Sequence, residues 1–471
     1  MKMVGAPDMG RDAIILTGTI GYMIALAFVS FTARKNARTA KSFASGGVHY
    51  PGVLIGFLLM SEFIGTSASV GTAEAGYKVG ISAAWNVAAL GIGFVFYSLF
   101  LARKFKDTGE NTISGVLART YGQPVKVATS IIMIFALQIV AISTYTSGGA
   151  IISPLFGIDR SAAIVATGLA GVLYVGLGGM SSVIYTNVIH AMVKYLGIVI
   201  ALAIGLSQVG GVGTLRTRLP AAMFDATAVG WPQICAWLVA GIGAVFATQY
   251  VVQAINTVED GATARRASFY SAMLLIPFGI LAAMIGMVCQ VLYPGITATA
   301  AFPTLVADMS QLPATIVVAG LAASLFGTIS ALSIGAATLV YKDFYLPLTG
   351  HDGESTGSLR FIRWATIAAG LLPIPLAILS TEVLSVTFLA KSLRASLALL
   401  VLLAFYAPTF GTRRGAFVSI EASLVATILW FMAGNPFGID NAYVAVAIPI
   451  LVMGFSHLFR GADTGPASVA S

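Results

Sequence analysis

Charge is scarce in this sequence. Asp, Glu, Lys and Arg together make up 9% of its 471 residues, where soluble domains carry about 25%. With 58% hydrophobic residues and a mean hydropathy of +0.91, that scarcity excludes a soluble globular domain. Cysteine is nearly absent: Cys235 and Cys289 both lie in apolar runs, which argues against a disulfide framework and a cysteine-based metal site. There is no His-Glu-x-x-His, no Gly-x-Ser-x-Gly elbow and no phosphate-cradling glycine loop, so an intramembrane enzyme has no motif to rest on. Long polar stretches are missing as well. The expected organisation is one membrane domain over 1–460 and a disordered cytoplasmic tail, 461–471.

What is present is a series of apolar stretches of about 20 residues, the length that crosses a hydrocarbon core. They fall near 12–33, 51–77, 81–102, 126–156, 161–180, 185–207, 229–256, 268–293, 312–340, 362–380, 383–407, 415–434 and 441–459. The fold class is therefore an all-α polytopic membrane protein with about thirteen spans. The longest segment between spans expected on the inner side is Tyr341–Ile362. The net charge of +8 is distributed as a topology signal rather than a nucleic-acid footprint. Arg34, Lys35, Arg38, Lys41, Arg103, Lys104, Arg265, Arg266, Arg413, Arg414 and Arg460 fall on one side of the count, and Lys78, Arg160, Arg216 and Arg218 on the other. The positive-inside rule then places the N-terminus outside and the C-terminus in the cytoplasm of a plasma (inner) membrane.

The second span does not read as a plain lipid-facing helix. Ser61 to Gly80, SEFIGTSASVGTAEAGYKVG, places an acid, Glu62, before a run of Gly, Ser and Thr that includes Gly65 and Thr66. Such a segment either breaks a helix where protein or water surrounds the backbone or packs helices closely through small residues. The seventh span, 229–256, is also interrupted, at Gly241 and Gly243, and carries Thr248, Gln249, Tyr250 and Gln253. Spans two to six (51–207) and seven to eleven (229–407) are two runs of five. An odd number per run inverts the second relative to the first, the arithmetic of an inverted repeat with a midplane site at its broken helices.

Several stretches resemble one family. KSFASGGVHYP before the broken span, GTAEAGYKVGIS at its end, YVGLGGMSSVIYTNVIHAMV from Tyr174 to Val193, TQYVVQ with the following basic exit, and GTISALSIGAATLVYKDFY are similar to motifs of the sodium:solute symporter family. The resemblance implies a LeuT-type 5+5 inverted repeat with one extra N-terminal and two extra C-terminal helices. It also implies sodium as the coupling ion, held by oxygens at Ser61, Ile64, Ser324, Gly327 and Thr328, a donor type that suits a hard cation. Gly327 stands where the family often has a hydroxyl. Asn187 replaces an Asp and His190 a Gln, which implies one coupling cation rather than two. Glu62 is either a source of negative charge beside this site or a protonated acid bonded to backbone.

For the solute, the resemblance argues against sugar, because Gly241 and Ala244 replace polar and aromatic side chains of the family's sugar site. Gln138, Gln249, Tyr250 and Gln253 are candidate polar contacts. Lys391 and Arg394 lie in the eleventh span, about 13 to 16 residues from its inner end, or ~20 Å of helix, too deep to snorkel. Three apart, they share a face, and Arg holds a carboxylate bidentately. One or both bind an anionic solute or line its exit, or they form internal ion pairs with Glu62 or Glu421, or the span boundary lies a turn away. Lys194 is expected to be structural or near the cytoplasmic face. The expected function is sodium-coupled import of a small carboxylate or amino acid across the lipid bilayer. A proton-coupled carrier using Glu62, or a solute sensor with a separate partner, are the alternatives.

Overall fold

The computed structural model describes residues 9–33, 35, 37–350, 355–380 and 384–459; the tail expected to be disordered lies outside them. Among the described residues the secondary structure is helical, with no strand. A spanning chain must satisfy its backbone internally, and helices do so within one segment.

The helices that matter here are α1 (Met9–Ala33), α2 (Gly52–Phe63), α3 (Thr66–Val79), α4 (Trp85–Phe96), the short α5 (Ile113–Tyr121), α6 (Gln123–Phe156) and α7 (Arg160–Val209). After them come α8 (Trp231–Phe246), α9 (Gln249–Asn256), α10 (Gly261–Leu292), α11 (Gln311–Leu339), α12 (Thr356–Leu371), α13 (Leu384–Tyr406), α14 (Arg413–Met432) and α15 (Asn441–Leu458). Helix α11 is central: from Val317 to Leu339 all but one residue is buried, and it packs against α7, α6 and α1.

Both spans expected to be interrupted are broken, but the second not where expected: Gly241 and Gly243 lie inside α8, where a Cβ would meet Ala89 and Ala395, and the break falls beyond them. Helix α2 ends at Ile64 (φ −95°, ψ 77°) and Gly65 is extended (φ −77°, ψ 178°) before α3 begins. Helix α8 ends at Ala247 and Thr248 is extended (φ −86°, ψ 132°) before α9, the two segments meeting at 45°. The small residues also serve the packing alternative, a few residues further on. A Cβ on Gly76 would lie 2.3 Å from the Ala283 carbonyl oxygen, and one on Gly286 would lie 2.1 Å from that of Ala73. Here α3 and α10 pack backbone to backbone.

The span count differs from the expected thirteen. Among the described residues ten helices are long and apolar enough to cross a membrane, or eleven with the bent α8–α9 pair. The breaks account for this: α2 is too short to qualify alone, and 66–108 runs on as one stretch. Helix α7 spans two expected segments through a kink at Gly179 (φ 59°, ψ −156°), where any Cβ would strike Phe43. The long inner loop expected at 341–362 is also corrected. After α11 a π-helical turn, Val340–Tyr345, and a further turn, Leu346–Thr349, carry the helix on, and α12 begins at Thr356.

Candidate transport site

At the first break, the last carbonyls of α2 have no partners in their own helix, and helix C-terminal carbonyls attract positive charge. A side chain from α7 meets them. The Lys194 Nζ donates to the Ser61 carbonyl oxygen at 2.6 Å, to the Ile64 carbonyl oxygen at 2.8 Å and to Ser61 Oγ at 3.0 Å. Lys194 is 2% exposed, and these three bonds use all three of its N–H donors. Of the two alternatives expected for it, structural or near the cytoplasmic face, these contacts fit the first: its ammonium ties α7 to the broken helix.

The neighbours complete a polar shell. Ser61 Oγ donates to Asn187 Oδ1 at 2.7 Å, and Asn187 Nδ2 donates to the Val183 carbonyl at 2.9 Å and Ser330 Oγ at 3.3 Å. A Cβ on Gly327 would stand 2.5 Å from Asn187 Oδ1, so a hydroxyl side chain at 327 has no room while Asn187 is seated there. Thr328 Oγ1 donates to the Glu62 carbonyl at 3.3 Å, while Ser324 Oγ donates to Gly320 in its own helix. Gly65 lets the chain pass Thr328, whose Oγ1 is 3.0 Å from a would-be Cβ. His190 Nδ1 is 2.6 Å from the Tyr22 hydroxyl. The Glu62 carboxyl is buried, and neither of its oxygens has a hydrogen-bond partner.

Of the oxygens that the family resemblance assigns to sodium, the Ser61 and Ile64 carbonyls are therefore already held by an ammonium. Two unit positive charges about 4 Å apart repel by about 4 kcal/mol at an effective dielectric of about 20. A sodium ion and the seated Lys194 do not fit together on these oxygens.

A second cluster lies at the α8–α9 break. Arg394 Nη1 donates to Thr248 Oγ1 at 3.1 Å and to the Tyr250 hydroxyl at 3.3 Å, and its Nε donates to the Ala390 carbonyl at 3.1 Å. Lys391 Nζ donates to Asn86 Oδ1 at 2.8 Å and to the Asn86 carbonyl at 3.3 Å, and it lies 4.6 Å from the Phe388 ring centroid. Asn86 in turn donates to Thr72 of α3 at 2.9 Å. Both cations are at most 5% exposed, and neither pairs with a carboxylate. The ion pairs with Glu62 or Glu421 weighed from the sequence are not formed. The Phe63 and Tyr250 rings meet edge to face at 5.2 Å, so the two clusters adjoin.

Other expected contacts are engaged elsewhere. Gln249 is tied to the start of α5, accepting from the Ile113 N–H at 3.0 Å and donating to the Asn111 carbonyl at 2.9 Å. Gln253 Nε2 donates to Thr338 Oγ1 at 2.9 Å and the Ala44 carbonyl at 3.2 Å. Thr66 Oγ1 is 2.6 Å from Ser147 Oγ, and Gln138 leaves its Oε1 buried without a partner. Sequence reasoning missed Thr72, Asn86 and Thr248 as partners of the charged residues. It also missed that Asn187, His190 and Lys194, at i, i+3 and i+7, share one face of α7.

Broken helices in matching positions, with buried charge gathered at both, are the arrangement of a carrier with a midplane site. The sodium-coupled sialic acid symporter, in its substrate-bound outward-open structure, superposes on 96% of this chain and 98% of its own with a TM-score of 0.82 at 19% identity, so this chain has the same LeuT-type fold. An uncharacterized symporter of Bacillus subtilis, YwcA, is 23% identical over 92% of this chain and 91% of its own length. A monocarboxylic acid transporter of Corynebacterium glutamicum is 25% identical over 93% and 86%. The profile of the sodium:solute symporter family matches residues 43–422. The chain is a multi-pass membrane transporter, not an enzyme, and it belongs to the sodium:solute symporter family.

Proposed function

We propose that this protein is a secondary active symporter that imports a small organic acid by alternating access. The observation that carries the reading is the pair Lys391 and Arg394: two buried cations on one face of α13, unpaired with any acid among the described residues, beside a broken helix. An internal charge in a membrane protein is costly unless a partner balances it. A solute carboxylate supplies that partner, with the Arg394 Nη2 donors, which the bonds to Ala390, Thr248 and Tyr250 do not use, available to it. Thr248, Tyr250 and Asn86 supply neutral polar contacts, and the Phe63, Phe388 and Trp237 rings an apolar wall. A relative that carries monocarboxylic acids supports the same class. The Glu62 carboxyl, buried with no hydrogen-bond partner, favours a second reading, an amino acid whose ammonium group faces it.

Family membership supports sodium as the coupling ion, and Asn187 in place of an acid supports a single coupling cation. We read the two repeats as 51–207 and 229–407, the N-terminus as outside and the C-terminus as cytoplasmic.

The test is counterflow in proteoliposomes loaded with unlabelled acetate, pyruvate, lactate, alanine or glucose, each against its own labelled form. One acid or amino acid exchanging while glucose does not supports the reading. Exchange of glucose alone refutes it.

A further inference from the structure

We propose that the Lys194 ammonium is this chain's own cation at the first helix break, taking the place of a sodium ion, so that sodium is not carried in this seat. The proposal rests on reading the protein as a carrier but not on which solute it carries.

Three observations on different helices agree. The first is the seat itself. The acceptors are the terminal carbonyls of α2 and the Ser61 hydroxyl, oxygens a hard monovalent cation would use. The ammonium, of equal charge, saturates its donors on them at 2.6, 2.8 and 3.0 Å. The second is position 327 of α11. A glycine there offers a bare ion one side-chain oxygen fewer, and Asn187 Oδ1, 2.5 Å from a would-be Cβ, fills the space. The third is Asn187 on α7. Its side-chain oxygen accepts from Ser61 Oγ at 2.7 Å, which turns the Ser61 lone pairs toward Lys194. A neutral amide does this where a carboxylate would add charge for a second cation. A seat that supplies its cation by a covalent tether needs neither the hydroxyl nor the acid.

The alternative is that Lys194 merely braces the break while sodium binds the same seat in another state. Sodium binding separates the two and requires no solute. The purified full chain is assayed for saturable 22Na+ binding and for melting temperature in sodium chloride against choline chloride. Wild type, Lys194→Met and Thr328→Ala are compared. The expected result is that wild type has no sodium binding at this seat: whatever saturable binding and sodium-specific shift it shows, Thr328→Ala leaves unchanged, because the coupling ion binds elsewhere. Lys194→Met, with the Ser61 and Ile64 carbonyls freed, gains saturable 22Na+ binding and a sodium-specific rise in melting temperature. Wild-type binding that Thr328→Ala weakens by about tenfold or more overturns the proposal. A folded Lys194→Met that gains no sodium binding also overturns it. Should Lys194→Met fail to fold, Lys194→Gln replaces it, and the wild-type arms decide on their own. Loss of the carboxylate reading would appear in solute exchange and leave these sodium measurements unchanged.

Discussion

Arg394 donates a hydrogen bond to Thr248 at 3.1 Å, and Thr248 is the extended residue at which the second broken helix changes direction. A buried guanidinium is thereby fixed to the point where the inverted repeat opens its backbone. Removing one partner of a buried charge contact costs about 2–5 kcal/mol. Arg394→Gln should therefore weaken acid binding about 30-fold or more, whereas Arg394→Lys, which keeps charge but loses the fork, should retain part of it. Binding titrations on the purified variants check this, and equal affinity in all three would remove Arg394 from the solute site.

Gly327 and Asn187 compete for one volume. Gly327→Ser should lower the melting temperature, because its Cβ meets Asn187 Oδ1 at 2.5 Å and overpacking costs about 1–3 kcal/mol. Adding Asn187→Ala should recover much of the loss, a non-additivity that a double-mutant cycle in thermal unfolding measures. Additive losses would place the conflict elsewhere.

The contact of α3 with α10 allows no side chain at Gly76. Its Cβ would sit 2.3 Å from a backbone oxygen of Ala283, an atom that cannot rotate away. Gly76→Val should therefore reduce the yield of folded protein, read by size-exclusion profile, much more than Gly213→Val, whose position is open.

Asp343 explains part of the Lys-Asp-Phe-Tyr ending beyond α11. Its carboxylate accepts from Ser114 of α5 and from Ser130 of α6, the latter at 2.5 Å, and lies 3.2 Å from Lys126 Nζ. It thus pins the short helix α5 beneath the core. Asp343→Ala leaves Lys126 without its acid and Ser114 without its acceptor, while Ser130 keeps the Lys126 carbonyl at 2.9 Å. Because Lys126 is partly exposed, the loss should fall at the lower end of the range for breaking a buried pair, about 3 kcal/mol. Thermal unfolding reads the stability, and proteolysis between α5 and α6 reads the release of α5.

The first broken helix was legible in the sequence because its cause is local: Gly65 interrupts an apolar span directly after an acid, and only Gly65 and Ile64 leave the helix. The second was placed too early, because Gly241 and Gly243 mark close approaches to Ala89 and Ala395 rather than the turn at Thr248. Lys391 and Arg394 were legible for a similar reason, since two charges in an apolar run need an explanation. Lys194 was not recognised. Its acceptors, Ser61 and Ile64, are 133 and 130 residues away, and only the shared face with Asn187 hinted at the meeting. Gln249 and Gln253 looked like solute contacts because nothing local shows that Asn111, Ile113, Ala44 and Thr338 claim them. The number of spans blurred because helices such as α7 run through their kinks, and hydropathy does not mark where a helix leaves the bilayer.

The most direct test of the account is the affinity of the purified protein for small carboxylic acids compared with their uncharged amides, under one buffer and salt. The account predicts saturable binding of at least one acid, no measurable binding of its amide, and loss of the difference in the Lys391→Gln, Arg394→Gln double variant. Equal binding of acid and amide, or acid binding that survives removal of both cations, would contradict it.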